Sequence, residues 1–220
     1  MVALALAAAL LVAGPTAGKT ASSAERAAPP PFQTKTKPIK GAVREQITGS
    51  SWRRGCPVPR RKLRLIRATH WDFQRDIEFG RLIVHREEAG EVSRALRELY
   101  RARFPIRRME LIDRYGADDH RSMDADNTSA FNCRFVAGTS RWSEHAYGRA
   151  IDINPIENPY VSGSHVSPPA GRPYADRSRD AKGMIHHGDE VWDAFRAVGW
   201  KWGGDWSGTK DYQHFSSTGN

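Results

Sequence analysis

Ser143-Glu144-His145-Ala146-Tyr147-Gly148-Arg149-Ala150-Ile151-Asp152 is the stretch on which the reading of this chain turns. A histidine stands seven residues before an aspartate, with a glycine and two alanines between them. Small residues let the backbone turn, so an imidazole on a loop and a carboxylate on a strand can converge. Residues 148–154 alternate as a strand. There Asp152 shares a face with Ala150 and Asn154, and Ala150 leaves that face open. Further along lies Asp211-Tyr212-Gln213-His214-Phe215. Two imidazoles and a carboxylate are a common ligand set for a catalytic zinc ion, with a fourth position left for water. His145, Asp152 and His214 are therefore the candidate metal ligands. Asp211, three residues before His214, can lie beside such an ion without binding it and act as general base and acid. The bland alternative for His145 and Asp152 is a core histidine bonded to a structural aspartate, and the second cluster argues against it.

Working outward, Val92, Ala95, Leu96, Leu99 and Tyr100 recur at spacings of three and four, which predicts a helix with one apolar face. Pro105 follows its end. Strands are expected at 81–85, 106–112 and 131–136. A second helix is expected over 189–198, closed by Gly199, followed by a strand from Trp200-Lys201-Trp202 with 212–215 beside it. Helices and strands do not alternate strictly. The fold class is thus α+β, a single domain with a small antiparallel sheet, flanking helices and the metal site at the sheet. Residues 155–188, rich in Pro, Gly and Ser, form a long loop of the kind that covers a site.

The chain has 220 residues, 39% of them hydrophobic and 27% charged, which excludes a disordered chain and a membrane-embedded one. Its net charge of +9 favours polyanionic partners. Val2 to Ala13 is too short an apolar run to span a bilayer but fits the core of a signal peptide, although no Lys or Arg precedes it. Ser22-Ser23-Ala24 offers small residues for cleavage. The expected organisation is a signal peptide at 1–24, a Pro-rich basic linker at 25–51 and the domain at 52–220. Arg53 to Arg67 is a run of seven cations without an acid. It reads as a solvated basic edge or as an attachment to an anionic surface. Asp124-x-Asp126-x-Thr128 lacks the later residues of a calcium loop, and no Gly-x-Ser-x-Gly elbow supports a serine nucleophile. No nucleic-acid-binding motif is present. His120 and His165 lack partners at ligand spacing, and His186-His187 is expected to lie exposed in the polar loop.

Taken together, Ser143-x-His145-x-x-Gly148-x-Ala150-x-Asp152, Trp202-Gly203-Gly204-Asp205-Trp206 and Asp211-x-x-His214-Phe215 resemble the zinc peptidases that cut peptidoglycan stem peptides. These are the D-alanyl-D-alanine carboxypeptidases and the L-alanyl-D-glutamate endopeptidases. The resemblance runs from Cys56 to the C-terminus and is densest over Asp126–Pro155. It implies the D-Ala-D-Ala peptidase, hedgehog-like fold. It also implies Zn2+ held by His145, Asp152 and His214, with Asp211 as the acid/base carboxylate. Many members have Glu at that last position, so Asp implies a shorter reach and is closer to the endopeptidase branch. The family also uses an Arg ahead of the histidine motif to hold substrate. The matching stretch here, Ser129-Ala130-Phe131-Asn132, has Asn at that place. Arg134, two residues on, is nominated, with Arg121 in reserve.

With the apolar N-terminal run, the resemblance leads to an exported, monomeric enzyme of the bacterial cell wall, without a transmembrane span in its mature form, since no other stretch approaches transmembrane length. Its substrates are peptidoglycan stem peptides; the positive charge suits anionic wall polymers as further partners, and the lack of a binding motif speaks against nucleic acid. Carboxypeptidase and endopeptidase stay open as alternatives. A metal-stabilised wall-binding module without turnover is the reading from another class, against which Asp211 argues. Neither Cys56 nor Cys133 has a Cys-x-x-Cys partner. In the oxidising setting of an exported protein they favour one bridge. It would close a loop of roughly 77 residues and stabilise by about 4 kcal/mol in the chain-entropy model.

Overall fold

Residues 1 and 29–220 are described by the computed structural model. The signal peptide expected over 1–24, with its apolar run and cleavage site, lies outside the described residues. The first elements among the described residues are β1 (Thr34–Pro38) and α1 (Gly41–Ile47), followed by two nine-residue strands, β2 (Leu63–Trp71) and β3 (Ile77–His85). The three strands form an antiparallel sheet in the order β1-β2-β3. Ile66, Ala68, Leu82 and Val84 point into the main core, where α2 (Ala89–Ala102) lays Val92, Ala95, Leu96 and Leu99 against them. This is the helix face expected from the periodicity. The helix ends at Arg103 in left-handed geometry, two residues before Pro105. On the opposite side of the sheet Leu63 and Ile83 meet Ile47, Leu111, Phe131 and Cys133 in a second core.

The stretch expected as a linker over 25–51 is part of the folded unit for most of its length. From Thr34 it supplies a paired strand and a helix whose Ile47 is fully buried, and the compact unit runs from Phe32 to Asn220. The physical reason is that an edge strand is guarded by lysines and proline against further pairing. Thr34-Lys35-Thr36-Lys37-Pro38 is such a strand, and its composition is also that of a spacer.

The second half holds β4 (Arg108–Met109), α3 (Asp119–Asp124), β5 (Asn127–Thr128), α4 (Glu144–Tyr147), β6 (Ala150–Asp152), β7 (Tyr160–Ser162), β8 (His165–Ser167), α5 (Glu190–Arg196), β9 (Lys201–Trp202), β10 (Lys210–Asp211) and β11 (His214–Ser216). They form antiparallel sheets ordered β6-β11-β9 and β10-β7-β8, and a parallel β4-β5 pair. The molecule is thus mixed helix and sheet, with several small sheets in place of one. Asp189 caps α5 by accepting from the amides of Val191 and Trp192, and Gly199 takes a φ of 85° after its end.

Two expected strands are shorter or missing. Of 106–112, only Arg108 and Met109 pair as a strand. Residues 131–136 form no strand, and the Arg134 amide turns back to the Asn132 carbonyl within them. The amides of Phe131, Asn132 and Cys133 donate to the carbonyls of Ile83, His145 and Ser51 respectively, and Phe135 bridges Trp142. Alternation reports which residues face inward, not whether one partner strand collects the hydrogen bonds. The loop at 155–188 contains β7 and β8. It is tied down by the buried amides of Asn154 and Asn158, which both donate to the Gly183 carbonyl. Cys56 and Cys133 form a disulfide with a Cα–Cα separation of 5.8 Å.

Candidate metal centre

Sheet register brings the ligand-type side chains together. His214 of β11 stands directly opposite Asp152 of β6, and two such residues of an antiparallel pair project to the same face. Asp152 also bridges Ser129 on its other side, exchanging two backbone hydrogen bonds. His145 comes from α4, a single turn capped by the Ser143 hydroxyl and closed by Gly148 at φ 69°. These short elements place His145 Nε2 3.1 Å from Asp152 Oδ2, and His214 Nδ1 3.0 Å from Asp152 Oδ1. The two imidazoles meet at 3.3 Å, His145 Nε2 to His214 Nδ1. Each of the three residues is at most 6% exposed.

The outer nitrogen of each ring is spoken for. His145 Nδ1 donates to the Ala130 carbonyl at 2.5 Å, and His214 Nε2 to the Asn220 carbonyl at 2.9 Å. With the outer nitrogens so engaged, Nε2 of His145 and Nδ1 of His214 are the atoms left facing Asp152, where a bound metal would take the place of a proton. One donor atom from each residue lies within 4.8 Å of the others, and no other group of three such residues is found among the described residues. Two imidazoles and a carboxylate, converging, buried and held from behind, fit a divalent ion of the zinc type.

Electrostatics point the same way. Burial alone would raise the Asp152 carboxyl, but the combined pull of His145 and His214 holds it well below the usual carboxylate range. Burial alone would lower His214. The hydrogen bond and charge of Asp152, with the charge of Asp211 and the Asn220 carbonyl, raise it instead to about 9. A ring so strongly drawn to positive charge occupies a site that favours a cation.

Asp211 ends β10, which pairs with β7, and reaches the centre through the turn to β11. Its Oδ1 is buried and has no hydrogen-bond partner. Burial, reinforced by the charge of Asp152 and opposed by that of His214, pushes its carboxyl up to about 6. Gly203 lets the neighbouring turn approach, since a Cβ there would lie 2.5 Å from the Asp211 carbonyl oxygen.

The three ligand-type residues and Asp211 line a cleft of about 730 Å3. Arg134 lines it too, with Nη2 2.9 Å from Asp119 and a buried Nε that has no hydrogen-bond partner. Arg121 is not among the lining residues; it is largely exposed and pairs with Asp118. The far wall comes from Tyr160, Ser162, His165 and Ser167 of the 155–188 loop, so that loop does border the site. His120 and His165, set aside as ligands, line the cleft without joining the three-residue cluster. Arg141, which no sequence motif marks, lines it as well. The length and composition of the 155–188 loop were the only sequence signals for its wall residues.

Such a cleft, with a cation-seeking corner and a raised carboxylate, is built for hydrolysis assisted by a metal. Over residues 137–217 the chain matches the model of a family described as D-alanyl-D-alanine carboxypeptidase. The matched stretch contains His145, Asp152, Asp211 and His214 and begins just after Arg134. It indicates a hydrolytic peptidase of the metal-dependent kind. No curated protein and no solved structure matches the chain.

Proposed function

We propose that this protein is an exported zinc peptidase that hydrolyses peptide bonds in peptidoglycan stem peptides, as a D-alanyl-D-alanine carboxypeptidase or an L-alanyl-D-glutamate endopeptidase. The observation that carries this reading is one cleft holding both the His145–Asp152–His214 cluster and the unpartnered, buried oxygen of Asp211. His145, Asp152 and His214 hold the ion. Bound there, zinc supplies Lewis acidity and a water of lowered pKa. Asp211 takes the proton of the attacking water and delivers it to the departing amine. A carboxyl raised to about 6 is well matched to gaining and losing a proton near neutrality. Arg134, half turned to Asp119, offers its remaining donors to a substrate carboxylate or carbonyl. The fold is that of the D-Ala-D-Ala peptidases and their hedgehog-like relatives, and the enzyme works as a monomer in the cell wall.

The test is hydrolysis of purified peptidoglycan by the wild type and by Asp211→Ala, with bound metal measured in both. Removal of a general acid/base costs about 100- to 10,000-fold in rate. The expected result is about one zinc per chain in each and cutting by the wild type alone. The fragments then name the bond, because a carboxypeptidase releases free D-alanine. Zinc in both and cutting in neither would replace the peptidase with a wall-binding module held together by its metal.

A further inference from the structure

The positive charge of this chain is not spread over it. Residues 33–71 hold eleven Lys and Arg against one acid, Glu45, whereas residues 72–220 hold 21 Lys and Arg against 23 Asp and Glu. The part of the chain that contains the metal centre is slightly acidic, and the +9 resides in the layer built from β1, α1 and β2. Register concentrates it further. Lys35 of β1 pairs with Arg67 of β2, and Arg67 pairs with Arg81 of β3. Directly opposed residues project to one face, so three cations form a row across the sheet at strand spacings of about 4.8 Å. Lys35 and Arg67 are exposed and Arg81 is half-buried. Among the described residues none of the three pairs with a carboxylate. Beside the row Phe79 is 44% exposed, with the Arg67 guanidinium 3.6 Å above its ring.

Like charges placed directly opposite one another in a sheet destabilise it. A row of three, unrelieved by any acid, is a standing cost that an anionic ligand would remove. None of these residues lines the metal cleft. A disulfide suits the oxidising, exported setting of the function proposed above, where phosphate polymers rather than cytosolic nucleic acid are at hand. Two of the three cations are arginines, which favour phosphate oxygens. We propose that the β1–β2–β3 face carrying Lys35, Arg67 and Arg81 is a docking surface for a phosphate-bearing anionic polymer of the cell envelope. It shares the wall setting of the function proposed above but not its chemistry, so binding rather than hydrolysis tests it.

The probe is peptidoglycan sacculi that retain their covalently attached phosphate polymer, compared with the same sacculi stripped of it by hydrofluoric acid. Co-sedimentation of the full protein is measured across a salt series. Wild type is expected to bind the phosphate-bearing sacculi at least about tenfold more tightly, with affinity falling linearly in log–log salt plots. Lys35→Gln/Arg67→Gln/Arg81→Gln should lose about tenfold and flatten the salt slope by about two, at roughly 0.7 per contact. Its zinc content and melting temperature should not fall. If the triple variant melts lower, Lys35→Gln/Lys37→Gln on the exposed edge strand repeats the measurement, with about threefold loss expected. Equal binding to stripped sacculi overturns the proposal, and so does wild-type affinity in the variants. Tighter binding to a 30-base-pair DNA duplex or to phosphatidylglycerol vesicles overturns it too, by assigning the face to another polyanion. An enzyme that fails to cut the wall yet follows this binding pattern would sink only the peptidase reading.

Discussion

Gly148 ends the one-turn helix that carries His145, and its φ of 69° is the lesser part of its importance. A Cβ at this position would stand 2.6 Å from the His85 amide nitrogen and 3.0 Å from the Val84 carbonyl carbon. Both are backbone atoms of a core strand and cannot swing aside. Gly148→Ala is therefore expected to destabilise by at least about 2 kcal/mol, from left-handed strain and overpacking together. It should also weaken zinc binding, because relief would come by shifting α4. Thermal melting and a zinc-chelator competition read the two effects, and an unchanged melting temperature would show that the packing yields after all. The Asn220 carbonyl behind His214 gives a second test at this scale. Its segment is fixed by Trp206 Nε1 donating to the Gly219 carbonyl and by the Gly219 amide donating to Ser216 Oγ. Removing Gly219 and Asn220 frees the outer nitrogen of His214. Zinc affinity should fall about tenfold, the lower range for losing such a supporting contact. Unchanged affinity would mean that Asp152 alone orients the ring.

Among the elements, the loop that follows β6 is pinned by an ionic knot that no motif announces. Arg107, just ahead of β4, places Nε 3.0 Å from Asp126 and Nη2 3.0 Å from Glu157. Glu157 is 1% exposed and its Oε2 has no partner. Burial, with the charge of Asp126, pushes its carboxyl up to about 8 against the opposing pull of Arg107. The folded chain therefore holds a proton that the unfolded chain releases near 4.5. Between these values the native state binds more protons, so stability falls as pH rises, by on the order of 1 kcal/mol per unit. Glu157→Gln mimics the protonated form. It should match the wild type in melting temperature near pH 5 and exceed it at pH 8, and parallel curves would remove the argument. This knot shows where sequence reading stops. His145, Asp152, Asp211 and His214 were legible because they lie in two short segments whose residue types fit one chemistry. α2 and α5 were legible from their periodicity and caps. Arg107, Asp126 and Glu157 come from three separated segments, and only the fold makes them neighbours. β1 and β2 were obscured for a different reason: their cations answer to the charge of a surface, and strand pairing left no separate trace in composition. The 131–136 stretch reads as a strand because its residues alternate, although its amides serve three different partners.

At the scale of the whole molecule, the Cys56–Cys133 disulfide joins the basic N-terminal layer to the stretch that leads into the metal motif. It does not act alone there. The Cys133 amide donates to the Ser51 carbonyl, Arg53 Nη1 donates to the Cys133 carbonyl at 2.7 Å, and Ser51 is held through its amide and hydroxyl by Asp113. The native contact between the two parts therefore survives without the bridge, and what the bridge changes is the unfolded chain. Its sequence separation of 77 residues corresponds to about 4 kcal/mol of lost chain entropy. Cys56→Ser/Cys133→Ser should accordingly lower the denaturant midpoint by an amount equivalent to a few kcal/mol. It should also raise the denaturant dependence of stability, because a chain without the cross-link exposes more surface when it unfolds. Below the transition the variant should still bind one zinc, because His145, Asp152 and His214 are placed by α4, the β6–β11 register and backbone contacts to residues 129–132, all of which the fold keeps without the bridge. Denaturant melts followed by tryptophan fluorescence, with zinc content measured before the transition, check both halves. If the variant loses zinc while still folded, the bridge shapes the metal centre directly and the division between a native scaffold and an unfolded-state constraint is wrong.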